Sequence, residues 1–173
     1  MLKRFLATTF AVAMAAGAAM AEDAGVTDPQ IAHVAYTAGE IDVAAAQQAL
    51  RKSKDPEILD FARTMERDHK AVNEQALALV KKLNVAPAEN AISTSLSNDA
   101  KKKLDELAAL DGAAFDRAYV ENEVAYHKAV NEALASTLIP SADNPELKSL
   151  LETGLTLFKE HQAHAEHLAG SVK

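Results

Sequence analysis

Between Pro56 and Leu83 the apolar positions step by three and four: Ile58, Ala62, Met65, Val72, Ala76, Leu79 and Leu83, with His69 filling the one gap. That spacing puts one continuous stripe on a helix and predicts a seam packed against other helices. The same rhythm returns as Val120, Val124, His127, Val130 and Leu134. It returns again as Leu147, Leu151, Gly154, Phe158, His161, Ala165 and Leu168. Three start signals punctuate the chain. Thr27-Asp28-Pro29, Asp55-Pro56-Glu57 and Asn144-Pro145-Glu146 each set a capping side chain ahead of a proline in the first turn. Together these predict long helices from Asp28 to about Lys52, from Pro56 to about Leu83, from Ala113 to about Leu138 and from Pro145 to about Leu168. Pro140 to Asp143 reads as a turn, and nothing resembles a series of strands.

Residues 84–98 (NVAPAENAISTSLSN) are small, polar and rich in breakers, and read as loop. A short helix is expected from Asp99 to about Leu110, where Asp111-Gly112 interrupts it. The chain thus holds two similar hairpins, separated by the stretch from Asn84 to Leu110. A connection this long can run the length of a bundle, which is the ferritin-like pattern with one crossover. A simple up-down-up-down bundle with a decorated loop is the competing topology.

The first 21 residues belong to a different class of segment. MLKRFLATTFAVAMAAGAAMA has a basic start, an apolar stretch from Phe5 to about Ala16, and Ala19-Met20-Ala21 before Glu22. Those three parts make a secretory signal peptide, residues 1–21, removed on export to the periplasm. The expected domain is residues 22–173. Losing Lys3 and Arg4 moves the net charge from −7 to −9. Such acidity argues against a nucleic-acid partner, which needs clustered Lys and Arg. No second apolar run approaches membrane-spanning length, so the mature chain is expected to lack a transmembrane segment. With no cysteine there is no disulfide, thiolate metal site or Cys nucleophile. Neither a Gly-x-Ser-x-Gly elbow nor a glycine-rich phosphate loop is present, so catalytic residues are not assigned and an enzyme is the less favoured class.

Candidate chemistry concentrates in the six histidines. His69, His127 and His161 occupy the seams of three different predicted helices. One seam histidine is ordinarily a hydrogen-bonded core residue. Three, on facing helices, make a metal site the sharper alternative, because neutral imidazole is the commonest protein metal ligand. Counting along the hairpin, Glu40 should sit level with His69 at about 1.5 Å per residue. The predicted metal set is therefore Glu40, His69, His127 and His161. Asp68, Asp116 and Glu123 are supporting or alternate carboxylates. Glu123 and His127, four apart, share a helix face. A mixed N/O set suits zinc, copper, nickel or iron. Glu66-x-x-His69 has the spacing of di-iron carboxylate bundles, but position 158, where the fourth helix would repeat it, is Phe158. His164 and His167 continue a stripe from His161 that reads as a solvated helix end, where imidazolium also suits the dipole.

Several segments, taken in order, resemble one family. They are Ala38-Gly39-Glu40, Phe61 through Met65 to Asp68-His69, Gly112 through Phe115-Asp116 to Tyr119, then His127, and Leu157-Phe158-Lys159-Glu160-His161. The chain resembles the exported bacterial family catalogued as domain of unknown function 4142, related to ferritin-like folds. The resemblance implies an all-α, ferritin-like four-helix bundle in the periplasm, with a long middle connection carrying a short extra helix. Members are often labelled outer membrane proteins, with no settled activity. The family's recurring positions fall on Glu40, Asp68, His69, Asp116, His127 and His161. Where the family usually has Leu-Pro before its last histidine, this chain has Thr156-Leu157-Phe158. The expectation is a metal-binding or stress-associated protein with a His/carboxylate core site. A structural or interaction module with a hydrogen-bonded polar core is the alternative, and a di-iron redox enzyme stands third.

Overall fold

A computed structural model of the chain describes residues 25–172. The expected signal peptide lies outside them. Every element in this range is helical: α1 (Asp28–Lys52), α2 (Pro56–Lys82), α3 (Ala91–Ala108), α4 (Gly112–Ala133), a π-helical turn (Leu134–Leu138), α5 (Ile139–Ser141) and α6 (Pro145–Ser171). The capping chemistry works as its residue types dictate. Asp55 accepts hydrogen bonds from the backbone N–H groups of Glu57 and Ile58, and Asn144 does the same for Glu146 and Leu147. At the far end of α2, Asn84 takes a left-handed conformation (φ 53°) and Val85 N–H reaches back to the Val80 carbonyl, closing a Schellman motif.

Two boundaries differ from expectation. The third helix begins at Ala91, not near Asp99. Asn90 caps it through Ile92 N and Ser93 N, and Ser93 Oγ accepts from Asn90 N in return. Ser97 then satisfies its hydroxyl on the Ser93 carbonyl. The serines that read as loop are thus held within the helix. Nor does Pro140 begin a turn. The π-helical turn, with Ile139 N bonded to Leu134 O, carries the helix through Pro140 to Ser141. Proline cannot donate and crowds the carbonyl four residues back, and the wider turn accommodates both effects.

Contacts at the helix ends fix the directions. Ala88 N donates to Pro29 O and Asn90 Nδ2 to Gln30 O, so α3 starts beside the start of α1. It finishes beside the end of α1, where Gln48 reaches Leu104 O and Lys52 reaches both Ala108 O and Asp111. The middle connection therefore spans the whole length of the molecule on the outer side of α1. Asp28 receives the N–H groups of Asp143 and Asn144, pinning the start of α6 to the start of α1. Hence α1, α3 and α6 run one way, while α2 and α4 run the other.

The core divides in two. One half centres on Phe61, Met65, Leu107, Phe115, Tyr119 and Val120; the other on Ile31, Val34, Leu134, Leu138, Leu147 and Leu151. Between them, at mid-height, lies a band of buried polar side chains. No described helix is long and apolar enough to cross a membrane.

Candidate metal centre

Four helices feed this band. α2 supplies His69, α4 supplies Glu123 and His127, α6 supplies His161, and α1 supplies Asp42, each at most 4% exposed. The three imidazoles form a nearly equilateral triangle, with ring centroids 5.3–5.5 Å apart. One ligand atom from each lies within 4.8 Å of the other two. His69 Nε2 and His127 Nε2 are 3.4 Å apart, and Asp42 Oδ2 is 3.5 Å from both. Asp42, Glu123 and His127 make a second convergent set within the same distance, sharing His127 with the first. Phe158 closes one side, its ring stacked on His69 at 4.5 Å.

Two imidazoles are oriented by their outer nitrogens. His127 Nδ1 lies 3.0 Å from the Glu123 carbonyl, which accepts its proton and leaves Nε2 with a lone pair. His161 Nε2 donates to Asp68 Oδ2 at 3.1 Å, leaving Nδ1 free. Asp68 is itself gripped by Arg67 through Nε and Nη2. Carboxylate and carbonyl partners of this kind fix the ring and tautomer of a metal-binding histidine.

The electrostatics keep the site neutral. Burial pushes the Asp42 carboxyl up to about 7, against a hydrogen bond to Glu123 that pulls it down. Burial, with Asp42 beside it, raises Glu123 well above the carboxylate range. The same burial takes His127 down to about 4, and it holds His69 well below an ordinary histidine, with His127 and His161 adding repulsion. His161 is also lowered by burial, although Asp68 opposes the shift. For Asp68 burial acts upward, but the bonds from Arg67 and His161 outweigh it and the carboxyl is held low. At neutral pH the three rings are uncharged and their lone pairs are available.

Much of this polar band has no partner. Apart from the bond that Asp42 and Glu123 share when one of the two acids is protonated, both Asp42 oxygens, Glu123 Oε2, His69 Nδ1 and His161 Nδ1 are buried without a partner. A cation at the centre of the triangle would meet three imidazoles and a carboxylate, so the donors present fit a transition metal.

The remaining sequence candidates stand apart. Glu40 is exposed, and its Oε1 accepts from Asn73 Nδ2 at 2.7 Å. Asp116 is buried on α4 with Oδ1 unpartnered, and it joins neither convergent set. Glu66 accepts from Gln47 and Lys70 at the surface. Exposed His164 packs edge-on against Phe61. Asp42 escaped the sequence argument. Its signal was an acid inside the apolar run Ile41-Asp42-Val43-Ala44-Ala45-Ala46.

Comparison with known proteins adds two findings. A family described as "Domain of unknown function (DUF4142)" matches residues 11–168. The fold is similar to a solved structure described as "CopM in the Cu(II)-bound form". The TM-score is 0.65 with 15% identity, covering 85% of this chain and 98% of that one. No curated protein matches the chain.

Proposed function

From the premise that the chain belongs to the DUF4142 family, we propose that it binds a divalent transition metal without catalysing a reaction. The ligands are His69, His127 and His161, with Asp42 as the carboxylate. The single observation that carries this is the triangle of neutral, buried imidazoles on three helices, with unpartnered nitrogen and carboxyl oxygen atoms on the same side chains. A core built only to be a hydrogen-bonded network would satisfy its members, because a half-satisfied network costs more than an apolar core. Copper(II) is the first candidate. Imidazole suits it, it leads the divalent series in affinity, and the fold's neighbour is a copper(II) complex. Zinc, nickel and iron(II) are the competitors. Glu66, held by Gln47 and Lys70, gives no support to a di-iron enzyme. We assign the architecture to the ferritin-like four-helix bundles, with α1, α2, α4 and α6 as the bundle and α3 in the crossover. Residues 1–21 are its export signal and the periplasm its compartment.

Thermal melting of the wild type, His69→Ala and His167→Ala with each metal tests the site. Metal present at about a hundredfold over Kd stabilises the native state by about 2.7 kcal/mol. For a chain of this size that raises Tm by roughly 5–10 °C. His69→Ala should lose most of the shift and His167→Ala should keep it. Equal shifts in wild type and His69→Ala would refute the core site. Loss in His167→Ala alone would move binding to the end of α6. Metal analysis of untagged protein taken from periplasm identifies the ion.

A further inference from the structure

Beside the histidine band, toward the starts of α1 and α6, the core is hollow. A cavity of about 260 Å³ lies between α1, α2, α4 and α6, with α3 flanking its mouth. Small residues create it: Ala35 and Gly39 on α1, Ala129 and Ala133 on α4, and Gly154 on α6. No charged side chain lines it. Its two polar side chains are already engaged, Asn73 Nδ2 with Glu40 and Tyr126 Oη with the Ala38 carbonyl at 2.8 Å. Water needs two to four polar partners to be held in such a space, and apolar cavities stay dry. Ile92 of α3, 44% exposed and one of two large apolar side chains so exposed among the described residues, stands at the mouth. Part of the wall is the π-helical turn, through Leu134 and Leu138, and such turns are frequent at functional sites.

We propose that this cavity is a binding site for a compact, neutral, apolar molecule of about ten to twelve carbon atoms. Size and polarity argue for that class. A cavity of about 150 Å³ lined by Leu, Ile and Phe takes benzene, so this larger space takes a bicyclic or short-chain hydrocarbon skeleton. The absence of lining charge excludes an ionised head group inside the cavity. Phe158 is a wall of the cavity and is also stacked on His69, so the occupant would sit one ring away from the metal centre.

Naphthalene, titrated into the purified protein by calorimetry, tests the proposal. One molecule per chain should bind saturably. Ala133→Trp, at the exposed mouth, should weaken binding at least tenfold. Ala129→Phe should do the same and serves if the first variant folds poorly. Ala100→Trp is the control. Ala100 does not line the cavity; it lines a neighbouring groove between α1, α3 and α4 that meets the cavity at Leu96 and Tyr126, and its substitution should leave affinity unchanged. The absence of saturable binding would overturn the proposal, as would equal affinity in the wild type and both mouth variants. Loss in Ala100→Trp alone would place the molecule in the outer groove, and one molecule per two chains would make the face a contact between copies; either result overturns it.

Discussion

Asp42→Asn should make the metal-free fold more sensitive to acid, by about 1.4 kcal/mol per pH unit between pH 4 and 6.5. Asp42 titrates at about 7 in the fold against an ordinary value of 3.8, and His127 at about 4 against 6.5. In that window the native Asp42 keeps a proton that the unfolded chain has lost. A raised carboxyl contributes stability at low pH that disappears as pH rises, so its slope is negative. The native His127 lacks a proton that the unfolded chain has gained. A lowered imidazole contributes stability at higher pH that disappears as pH falls, so its slope is positive. The two cancel almost completely in the wild type. Glu123, raised like Asp42, adds a negative slope, and His69 and His161, both lowered, add positive ones. Asparagine removes only the negative contribution of Asp42, and over the whole window the curves should diverge by about 3 kcal/mol. The number of protons bound sets this slope, not whether acid or imidazole holds them, so the expectation is the same if a proton moves from Asp42 to its neighbour. Urea denaturation in the presence of chelator, at half-unit steps from pH 4 to 7, measures the divergence. Parallel curves, or a shallower one for the variant, would refute the neutral-site argument.

Three further outcomes are expected. Met65 is fully buried, and Met65→Ala should cost about 2–5 kcal/mol by leaving a cavity, whereas Lys102→Ala at the surface should stay within about 0.5 kcal/mol; denaturant midpoints give both. At Gly39 a Cβ would fall 2.1 Å from Asn73 Oδ1, so Gly39→Ala should drive Asn73 off Glu40 and destabilise by about 1–3 kcal/mol, read from the same midpoints. Mass measurement of periplasmic protein should find Glu22 at the mature N-terminus; a chain still carrying Met1 would reverse the export assignment.

The helices most legible in the sequence are those with a cap, a proline and a single apolar stripe. α2 and α6 have all three, and their stripes carry His69 and His161 inward, where the structure brings them together with His127. α3 was legible only from Asp99 because its first two turns carry serines, whose hydroxyls bond their own backbone and serve loop and helix alike. The bend at Pro140 was hidden for a related reason. Proline announces that the α-helical ladder fails there, not that a π-helical turn will carry the chain onward.

The exchange of Glu40 for Asp42 has a geometric cause. Counting residues from a hairpin fixes a level, and two residues differ in level by only about 3 Å. They differ in direction by about 200°, so the level cannot say which one points inward. For α2 the apolar stripe settles direction. α1 offers no such stripe, because it is covered on two sides, by the core and by α3, and its buried set runs through Ala32, Gly39, Val43, Ala45, Ala46 and Ala49. What distinguishes Asp42 is energetic. A carboxyl 1% exposed, with only the Glu123 carboxyl as a partner, is costly in any apolar surround unless it holds a proton or meets a cation. Its titration near 7 meets the first condition in the metal-free fold, and the two imidazole nitrogens 3.5 Å away prepare the second. Asp42 is thus a residue whose burial depends on what binds there.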